Sequence, residues 1–217
     1  MSPQDHQIYL ASRSPRRAAL LEQIGVRFAV REAQVDESLH PGEHAEDYVL
    51  RVALDKARWV RAALPSHDRR PVLGADTAVA IGERILGKPG SRDEAIGMLR
   101  LLSGRTHRVL TAVALIAADG ERTDLCESRV TFRSLDEAEV RRYWATGEPC
   151  DKAGAYGIQG FGAVFVSALH GSYSGVMGLP LFETGRLLGQ VGIEPIPGTQ
   201  TTQTAPAPER VPEEAVR

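Results

Sequence analysis

Short apolar runs typical of β-strands alternate with amphipathic helical patterns along most of this 217-residue chain. The apolar run 8–11 precedes a helical pattern that starts at Pro15, and the apolar run 71–75 follows an amphipathic stretch at 45–64. Strands that alternate with helices in this way fold into a sheet with helices packed against it. The pattern therefore predicts an α/β fold, and no internal repeat divides it.

Composition and charge exclude several classes of partner. With 42% hydrophobic residues the chain can bury a substantial core, and its formal charge of −2 gives no overall field that attracts nucleic acid or anionic lipid. The apolar run 109–118 is much shorter than the roughly 20 residues that cross a bilayer. The first residues lack the features of a secretory signal. We therefore expect a cytoplasmic protein with neither a membrane nor a nucleic-acid partner.

The sequence lacks the motifs of three other chemistries. Cys126 and Cys150 are the only cysteines, too few for a disulfide framework or a Cys-rich zinc site, so we expect two reduced thiols. The six histidines show no H-E-x-x-H spacing. The segment 82–88 fits the start of a phosphate-binding P-loop, but Pro89 occupies the position of the Mg²⁺-binding Ser or Thr.

The last part of the chain differs in composition from the rest. Residues 194–217 contain five of the 13 prolines, among Thr, Gln and Glu, and show no apolar periodicity. Such a composition cannot bury enough apolar surface to fold. We predict one domain over residues 1–194 and a disordered tail over residues 195–217.

Local signals place several element boundaries. Asp119-Gly120 predicts a hairpin between two long strands, and two Ser-x-x-Glu capping boxes predict helix starts at Ser91 and Ser134. The other predicted elements are the strand pair 78–85, a helix from 91 to 104, strands 107–118 and 124–133, a helix from 134 to 144, a strand at 163–169 and a helix at 179–191.

A cluster of hydroxyl and guanidinium groups surrounds the first predicted helix start. Ser14 suits the N-cap, Pro15 the first helical position and Gly25 the stop, while Arg13, Arg16 and Arg17 flank the start. A helix N-terminus with arginines can hold a polyphosphate. The alternative is an ordinary capped helix with solvated arginines.

Two acidic positions could supply a general base or metal ligands. Asp76 directly follows the apolar run 71–75, which places its carboxylate at the end of a strand, and Glu37 with Asp36 forms a second acidic point. Mg²⁺ is held in proteins by few carboxylates together with water or phosphate oxygens. The alternatives are a turn-capping Asp and a solvated acidic loop.

The lysines and one glutamine are the remaining candidates. Only three of the 26 basic residues are lysines, namely Lys56, Lys88 and Lys152, so these positions are candidates for a compact ammonium. Gln159 lies in the glycine-rich segment 151–160, where backbone approaches closely to another group. Its amide can complement the O4 and N3–H edge of uracil or thymine. The alternative for Lys88 is an exposed lysine in a loop, and the alternative for Gln159 is an exposed side chain on a glycine loop needed only for folding.

Six motifs in order closely resemble those of the Maf-like nucleoside triphosphate pyrophosphatases, and the likeness spans residues 8 to 193. Arg13 stands where a small residue is frequent in that family. The motifs are Leu-Ala-Ser-Arg-Ser-Pro-Arg-Arg at 10–17, Asp-Lys-Ala-Arg at 55–58, Leu-Gly-Ala-Asp-Thr at 73–77, Leu-Gly-Lys-Pro at 86–89, Leu-Ser-Gly-Arg-Thr-His at 102–107 and Asp-Lys-Ala-Gly-Ala-Tyr-Gly-Ile-Gln-Gly at 151–160.

The resemblance implies a fold, an activity and a substrate branch. It implies an elongated mixed β-sheet flanked by helices, with two lobes around a cleft as in the inosine triphosphatases, usually in a homodimer. Such enzymes use a divalent cation to cleave a nucleoside triphosphate into monophosphate and diphosphate. One branch acts on dTTP and UTP and is marked by residues that match Arg16, Thr77 and Gln159. Another acts on 7-methyl-GTP.

The resemblance also implies roles for individual residues. Asp76 would be the general base, and Glu37 with Asp76 would hold Mg²⁺ or Mn²⁺. Gln159 and Thr77 would read the pyrimidine. The residues that would hold the triphosphate are Ser14, Arg16, Lys56 and Lys88. The alternatives are a pyrophosphatase for 7-methyl-GTP or other noncanonical nucleotides, and a non-enzymatic regulator of septum formation.

Overall fold

The computed structural model of the chain describes residues 6–196, so nearly all of the predicted tail lies outside the described residues. The helices are α1 (Pro15–Gln23), α2 (Ala45–Ala63), α3 (Arg92–Leu102), α4 (Glu137–Ala145), α5 (Tyr173–Met177) and α6 (Leu181–Gly189). The strands are β1 (Ile8–Ala11), β2 (Phe28–Val30), β3 (Val72–Ile81), β4 (Arg84–Leu86), β5 (Thr106–Ala117), β6 (Gly120–Phe132) and β7 (Val166–His170). Three short 3₁₀ helices are Glu148–Asp151, Ala153–Ala155 and Phe161–Phe165.

The strands form one mixed sheet of seven, in the order β2-β1-β3-β5-β6-β7, with β4 also paired to β3. Strand β1 is parallel to both β2 and β3, and the remaining pairs are antiparallel. The hairpin of β5 and β6 turns at Asp119-Gly120, as the sequence predicts, although β6 begins at Gly120 rather than at 124. The predicted α/β class with a mixed sheet is therefore confirmed.

Strand β3 continues past Asp76, which corrects the prediction for that residue, and one of its two edges is only partly paired. Strand β1 pairs with β3 as far as Gly74, and β4 pairs with the same edge only from Val79. Asp76 therefore lies in the middle of a continuous ten-residue strand and not at a strand end. The prediction failed because the pairing with β5 continues through Asp76 to Ala80. On the other edge, residues 75–78 have no strand partner.

Three apolar clusters divide the core. Helix α2 covers one face of the sheet, where Val49, Ala53 and Leu110 are buried. Helices α1 and α6 cover the opposite face, with Leu20 and Leu188 in the second cluster. The third cluster lies at the other end of the sheet, between α3, α4 and the residues of the 3₁₀ helices. The first two clusters form one lobe and the third forms the other.

A glycine lets helix α2 pack directly on strand β3. A Cβ atom at Gly74 would overlap the carbonyl oxygen of Ala53 and would lie 3.1 Å from the Cβ of Ala57. Such close backbone approach requires glycine at this position. Because α2 sits so close to β3, Lys56 on the helix reaches Asp76 on the strand.

Two predicted helix starts are confirmed and one is wrong. Ser14 caps α1 with Pro15 at its first position, and Ser91 caps α3. Helix α4, however, is capped by Asp136 and not by Ser134. Residues 133–135 are held outside the helix by tertiary bonds, because Leu135 N donates to Ser103 Oγ at 2.8 Å.

Other boundaries differ modestly from the predictions. The predicted strand 163–169 is a 3₁₀ helix as far as Phe165, and strand β7 follows it. The last helix runs from Leu181 to Gly189 instead of 179–191, and the predicted helix 91–104 ends at Leu102. Both cysteines are free thiols, as predicted. Within residues 6–196, no helix combines the length and the apolar character that crossing a membrane requires.

Candidate active site

A cavity of about 740 Å³ opens at the incompletely paired edge of β3, between the two lobes. Its walls come from the start of α1, the middle of β3, helix α2 and the loops that follow β4 and α4. Every site residue that the sequence predicts lines this cavity, namely Ser14, Arg16, Glu37, Lys56, Asp76, Thr77, Lys88 and Gln159. The fold thus brings together residues that are up to 145 positions apart.

Lys56 joins the two predicted carboxylates at the bottom of the cavity. Its Nζ lies 2.8 Å from Asp76 Oδ1 and 2.8 Å from Glu37 Oε1. The side chains of Lys56 and Asp76 are only 10% and 9% exposed, whereas that of Glu37 is 43% exposed. Asp36, in contrast, accepts a hydrogen bond from Ser38 N and is not part of the cavity lining. The acidic pair of the site is therefore Glu37 and Asp76.

The electrostatic surroundings keep Glu37 ionised. Partial burial would raise the pKa of Glu37, but the hydrogen bond and charge of Lys56, with Lys88 and Arg17 nearby, lower it below its usual value. Tyr48 from α2 donates to the carbonyl oxygen of Glu37 at 3.0 Å. Burial, together with the charges of Asp76 and Glu37, raises the pKa of Tyr48 to about 12. Tyr48 therefore stays a neutral donor that fixes the Glu37 backbone.

The start of α1 presents its arginines in different ways. Arg16 faces the cavity and lies 3.5 Å from Asp151 across it, with 32% of its side chain exposed. Arg13 is 78% exposed and lies 4.0 Å from Glu32. The departure from the family motif at Arg13 therefore falls on a largely solvated side chain at the rim.

Arg17 forms a network that the sequence analysis did not single out. Its Nε donates to Gly178 O at 2.7 Å, and its two terminal nitrogens donate to Ser12 Oγ and Thr77 Oγ1, each at 3.2 Å. Burial lowers the pKa of Arg17, and the nearby Asp76 opposes that shift. Arg17 therefore ties the helix start, strand β3 and the turn after α5 together behind the cavity.

The Thr77 hydroxyl bonds both Arg17 and Thr111. Thr111 donates to Gly175 O at 2.8 Å, so its oxygen accepts the Thr77 hydroxyl proton at 2.9 Å. The Thr77 oxygen in turn accepts from Arg17. The hydroxyl proton of Thr77 is thus used within the protein, and one lone pair remains for another donor.

All three lysines of the chain line the cavity. Lys152 donates to Asp151 Oδ1 at 2.6 Å and to Glu148 O at 2.7 Å. The loop that carries Lys88 is joined to the 3₁₀ helices, because Gly154 N donates to Gly87 O at 3.0 Å. With Arg13, Arg16 and Arg17, six basic and four acidic side chains line the cavity, an excess of two positive charges.

The acidic pair fits a divalent cation. Glu37 and Asp76 converge on one point, the Lys56 ammonium, so their oxygens already face a shared cation. Within residues 6–196 there is no cluster of three or more His, Cys, Asp or Glu side chains placed to bind a metal. Two carboxylates without further protein ligands suit Mg²⁺, which completes its shell with water and substrate phosphate oxygens.

The family of the chain follows from a match over most of its length. The family model of Maf-like proteins matches residues 7–191, which include every cavity residue described above. The chain belongs to the Maf-like protein family. The matched range includes all six motifs that carry the resemblance. Five of them contribute residues to the cavity, and Leu102 of the sixth lies in the apolar cluster of the second lobe.

Two curated bacterial proteins are highly similar to the chain. It is 56% identical over 190 residues to a protein of Alkalilimnicola ehrlichii, with 86% of this chain and 94% of that protein covered. It is 54% identical over 193 residues to a protein of Methylobacillus flagellatus, with 89% and 96% covered. Both are named dTTP/UTP pyrophosphatase. The solved structure of the Staphylococcus aureus Ham1 protein aligns with 17% identity and a TM-score of 0.41 over 73% of this chain and 79% of that one.

The predicted set omits several cavity residues that have defined contacts, among them Arg17, Tyr48 and Glu148. Arg17 is part of the Ser-Pro-Arg-Arg motif, so the sequence pointed to this position. Only the fold shows that Arg17 bonds to the protein interior whereas Arg16 faces the cavity. Tyr48 and Glu148 carried no local signal, because their partners are distant along the chain.

Proposed function

We propose that the chain is a nucleoside triphosphate pyrophosphatase that hydrolyses dTTP and UTP to the monophosphate and diphosphate. One observation carries the proposal: two carboxylates share a buried lysine inside a cavity with a surplus of basic side chains. The high identity to relatives named dTTP/UTP pyrophosphatase supports the same substrates. A role in removing unwanted nucleotides from the cell's pool follows from that chemistry.

The triphosphate would be held by the basic side chains and the helix start. Arg16 and Lys88 line the cavity on different elements, and the capped start of α1 with Ser14 adds backbone donors and partial positive charge. When substrate binds, the guanidinium of Arg16 would leave its ion pair with Asp151 and bind phosphate oxygens instead. Its planar fork can bind two such oxygens at once. Lys56 would contribute an ammonium beside the reacting phosphate.

Hydrolysis would use Asp76 as the general base. A water molecule attacks the α-phosphorus and loses a proton to Asp76, while the bond from that phosphorus to the bridging oxygen breaks and diphosphate leaves. Lys56 bonds Oδ1 of Asp76, and among the described residues Oδ2 has no hydrogen-bond partner, so Oδ2 is the oxygen suited to accept the proton. Asp76 is only 6% exposed, which limits the contact of this carboxylate with bulk water.

A divalent cation, Mg²⁺ or Mn²⁺, would be held by Glu37 and Asp76. When bound, it would neutralise negative charge that accumulates on the triphosphate. Lys56 would then shift from bridging the two carboxylates to contacting phosphate oxygens. Its four-carbon stem suits this movement, which a rigid arginine fork would not permit.

Base recognition would come from Gln159 and Thr77. The exposed Gln159 offers one donor and one acceptor that match the O4 and N3–H edge of uracil or thymine. Thr77 would add one acceptor lone pair, because its proton is already bonded to Thr111. We further propose a homodimer, as the resemblance to the Maf-like pyrophosphatases implies, that acts in the cytoplasm without nucleic-acid or membrane partners.

A nucleotide panel tests the proposal. The full-length protein with added Mg²⁺ is incubated with dTTP, UTP, 7-methyl-GTP and ITP, and diphosphate release is measured. We expect the highest kcat/KM for dTTP and UTP. Preference for 7-methyl-GTP or ITP would assign the chain to another nucleotide branch. Nucleotide binding without diphosphate release from any of the four would favour a non-enzymatic regulator.

A further inference from the structure

The carboxylate of Glu148, which the proposed reaction does not use, contacts the loop that carries Gln159. Glu148 begins the 3₁₀ helix that follows α4. Its Oε2 accepts a hydrogen bond from Phe161 N at 2.7 Å, and its Oε1 accepts one from Gly162 N at 3.1 Å. One side chain therefore holds the end of the loop that lies just beyond Gln159.

The beginning of the same loop is held through Tyr143. The Tyr143 hydroxyl donates to Glu148 Oε1 at 2.8 Å and accepts from Gly157 N at 3.0 Å. The Tyr143 ring is 4% exposed and packs edge-on against Phe165 at 4.8 Å. Burial raises the pKa of Tyr143, so its hydroxyl remains a donor to the carboxylate. Glu148 and Tyr143 together bind both ends of the segment 157–162.

The glycine spacing of this segment follows from the same contacts. A Cβ atom at Gly160 would overlap the Glu148 carboxylate, and one at Gly162 would lie 2.7 Å from the Tyr143 hydroxyl oxygen. Backbone that must approach another group this closely requires glycine. The glycines of this segment thus accommodate the two side chains that bind its backbone.

Gln159 depends on its loop for its position. Its side chain is exposed, and among the described residues it has no hydrogen-bond partner. Its location in the cavity wall is therefore set by the backbone of 157–162. That backbone is fixed by one anionic acceptor with three donors and by one buried hydroxyl.

We propose that Glu148 and Tyr143 form a loop clamp that holds Gln159 in place to read the pyrimidine base. The two are positioning residues, since they bind backbone and act on substrate through Gln159. This inference rests on the proposed dTTP/UTP activity. It extends that activity by assigning a part in base recognition to two side chains that need not touch the nucleotide. It also explains why a carboxylate stands in a cavity that binds an anion: its charge is used by protein donors.

The test compares Glu148→Gln and Tyr143→Phe with Gln159→Ala. Glutamine keeps the shape of Glu148 but turns one acceptor into a donor that faces backbone N–H groups, and phenylalanine keeps the ring while removing the link to Gly157. We expect each variant to raise KM for dTTP about tenfold, with kcat within about threefold of wild type. Glu137→Gln is the matched control, because Glu137 is an exposed carboxylate on α4 that pairs with Arg100 and Arg141.

A double-mutant cycle separates positioning from general destabilisation. If the clamp acts through Gln159, then Glu148→Gln adds little to the KM of the Gln159→Ala variant. Additive effects, or a wild-type KM in both clamp variants of a protein that hydrolyses dTTP, would overturn the clamp and leave the proposed function intact.

Amide hydrogen exchange provides a readout that does not depend on activity. We expect Glu148→Gln to lower the protection of Phe161 and Gly162, whereas Glu137→Gln leaves it unchanged. If the wild-type protein hydrolyses no nucleotide, the proposed function fails, and base reading by Gln159 fails with it. Unchanged protection of the loop amides in Glu148→Gln would overturn the clamp itself, whatever the activity.

Discussion

At the scale of single residues, Asp76, Lys56 and Glu37 together carry the chemistry of the site. In the free protein the Lys56 ammonium lies between the two carboxylates. In the proposed reaction the same carboxylates would meet a metal ion and a water molecule when substrate binds. A lysine suits the centre of this arrangement, because its flexible stem lets one ammonium move between carboxylate and phosphate partners.

Replacing the proposed base tests its role directly. We expect Asp76→Asn to lower kcat for dTTP at least about 100-fold, because the amide cannot accept the water proton. Asp119→Asn is the control, since Asp119 pairs with Arg122 in the exposed hairpin turn. Diphosphate release at saturating dTTP measures both variants. A kcat for Asp76→Asn within a few-fold of the control would exclude Asp76 as the base.

Arg17 should matter for structure as well as for activity. Lysine cannot reproduce the planar fork that bonds Gly178, Ser12 and Thr77. We expect Arg17→Lys to lower the free energy of unfolding by about 2 kcal/mol and kcat/KM about tenfold. Arg13→Lys, at the exposed rim, serves as the comparison in urea denaturation and dTTP assays. Equal behaviour of the two variants would contradict the network.

At the scale of elements, the packing of α2 on β3 sets the geometry of the acidic pair. The helix delivers Lys56 to Asp76 only because Gly74 lets the two backbones approach. The unpaired stretch of the β3 edge between β1 and β4 would then give substrate access to Asp76 in the proposed reaction. The geometry of the site therefore depends on the packing of α2 on β3 and on the pairing of β3 with β1 and β4.

A methyl group at the helix–strand contact should disturb stability and activity together. We expect Gly74→Ala to destabilise the protein by about 1–3 kcal/mol, because the added Cβ overlaps Ala53 O and forces α2 outward. Activity should fall as Lys56 moves away from Asp76. Gly97→Ala in α3 is the control, because a Cβ there meets nothing within 4 Å. That variant should gain stability slightly, and stabilisation by both substitutions would contradict the close contact.

At the scale of the whole molecule, a buried histidine links stability to pH. His107 is 1% exposed, bonds the Tyr156 hydroxyl at 2.8 Å and packs against Phe132. Burial lowers its pKa from the ordinary 6.5 to about 4. The unfolded chain therefore binds this proton more readily than the folded one, and stability is lost as pH falls from 6.5 toward 4.

The expected size of this effect is about 1.4 kcal/mol per pH unit within that window. In urea denaturation at pH 7, 6 and 5, His107→Gln should lack this part of the acid destabilisation, so its stability should approach that of wild type as pH falls. His67→Gln, at an exposed position, is the control. A constant difference between wild type and His107→Gln at all three pH values would contradict a neutral buried His107.

Local features were predictable because their causes are local. The Ser14 cap and the Asp119-Gly120 hairpin each depend on neighbours within a few residues, and both are as predicted. The Ser134 cap was wrong because Ser103, 32 positions away along the chain, holds Leu135 N outside the helix. A capping motif competes with tertiary bonds that the sequence pattern does not contain.

The sequence by itself determined the α/β class, the Maf-like motifs and the identity of eight cavity residues, because these inferences depend only on residue types and their order. Only the tertiary structure decided that Asp76 lies within a strand beside a gap, that Lys56 bridges both carboxylates and that Glu148 binds the loop of Gln159. The physical reason is the same in each case. These features depend on strand pairing, backbone approach and hydrogen bonds between residues from 13 to 63 positions apart in the chain, which no local pattern encodes.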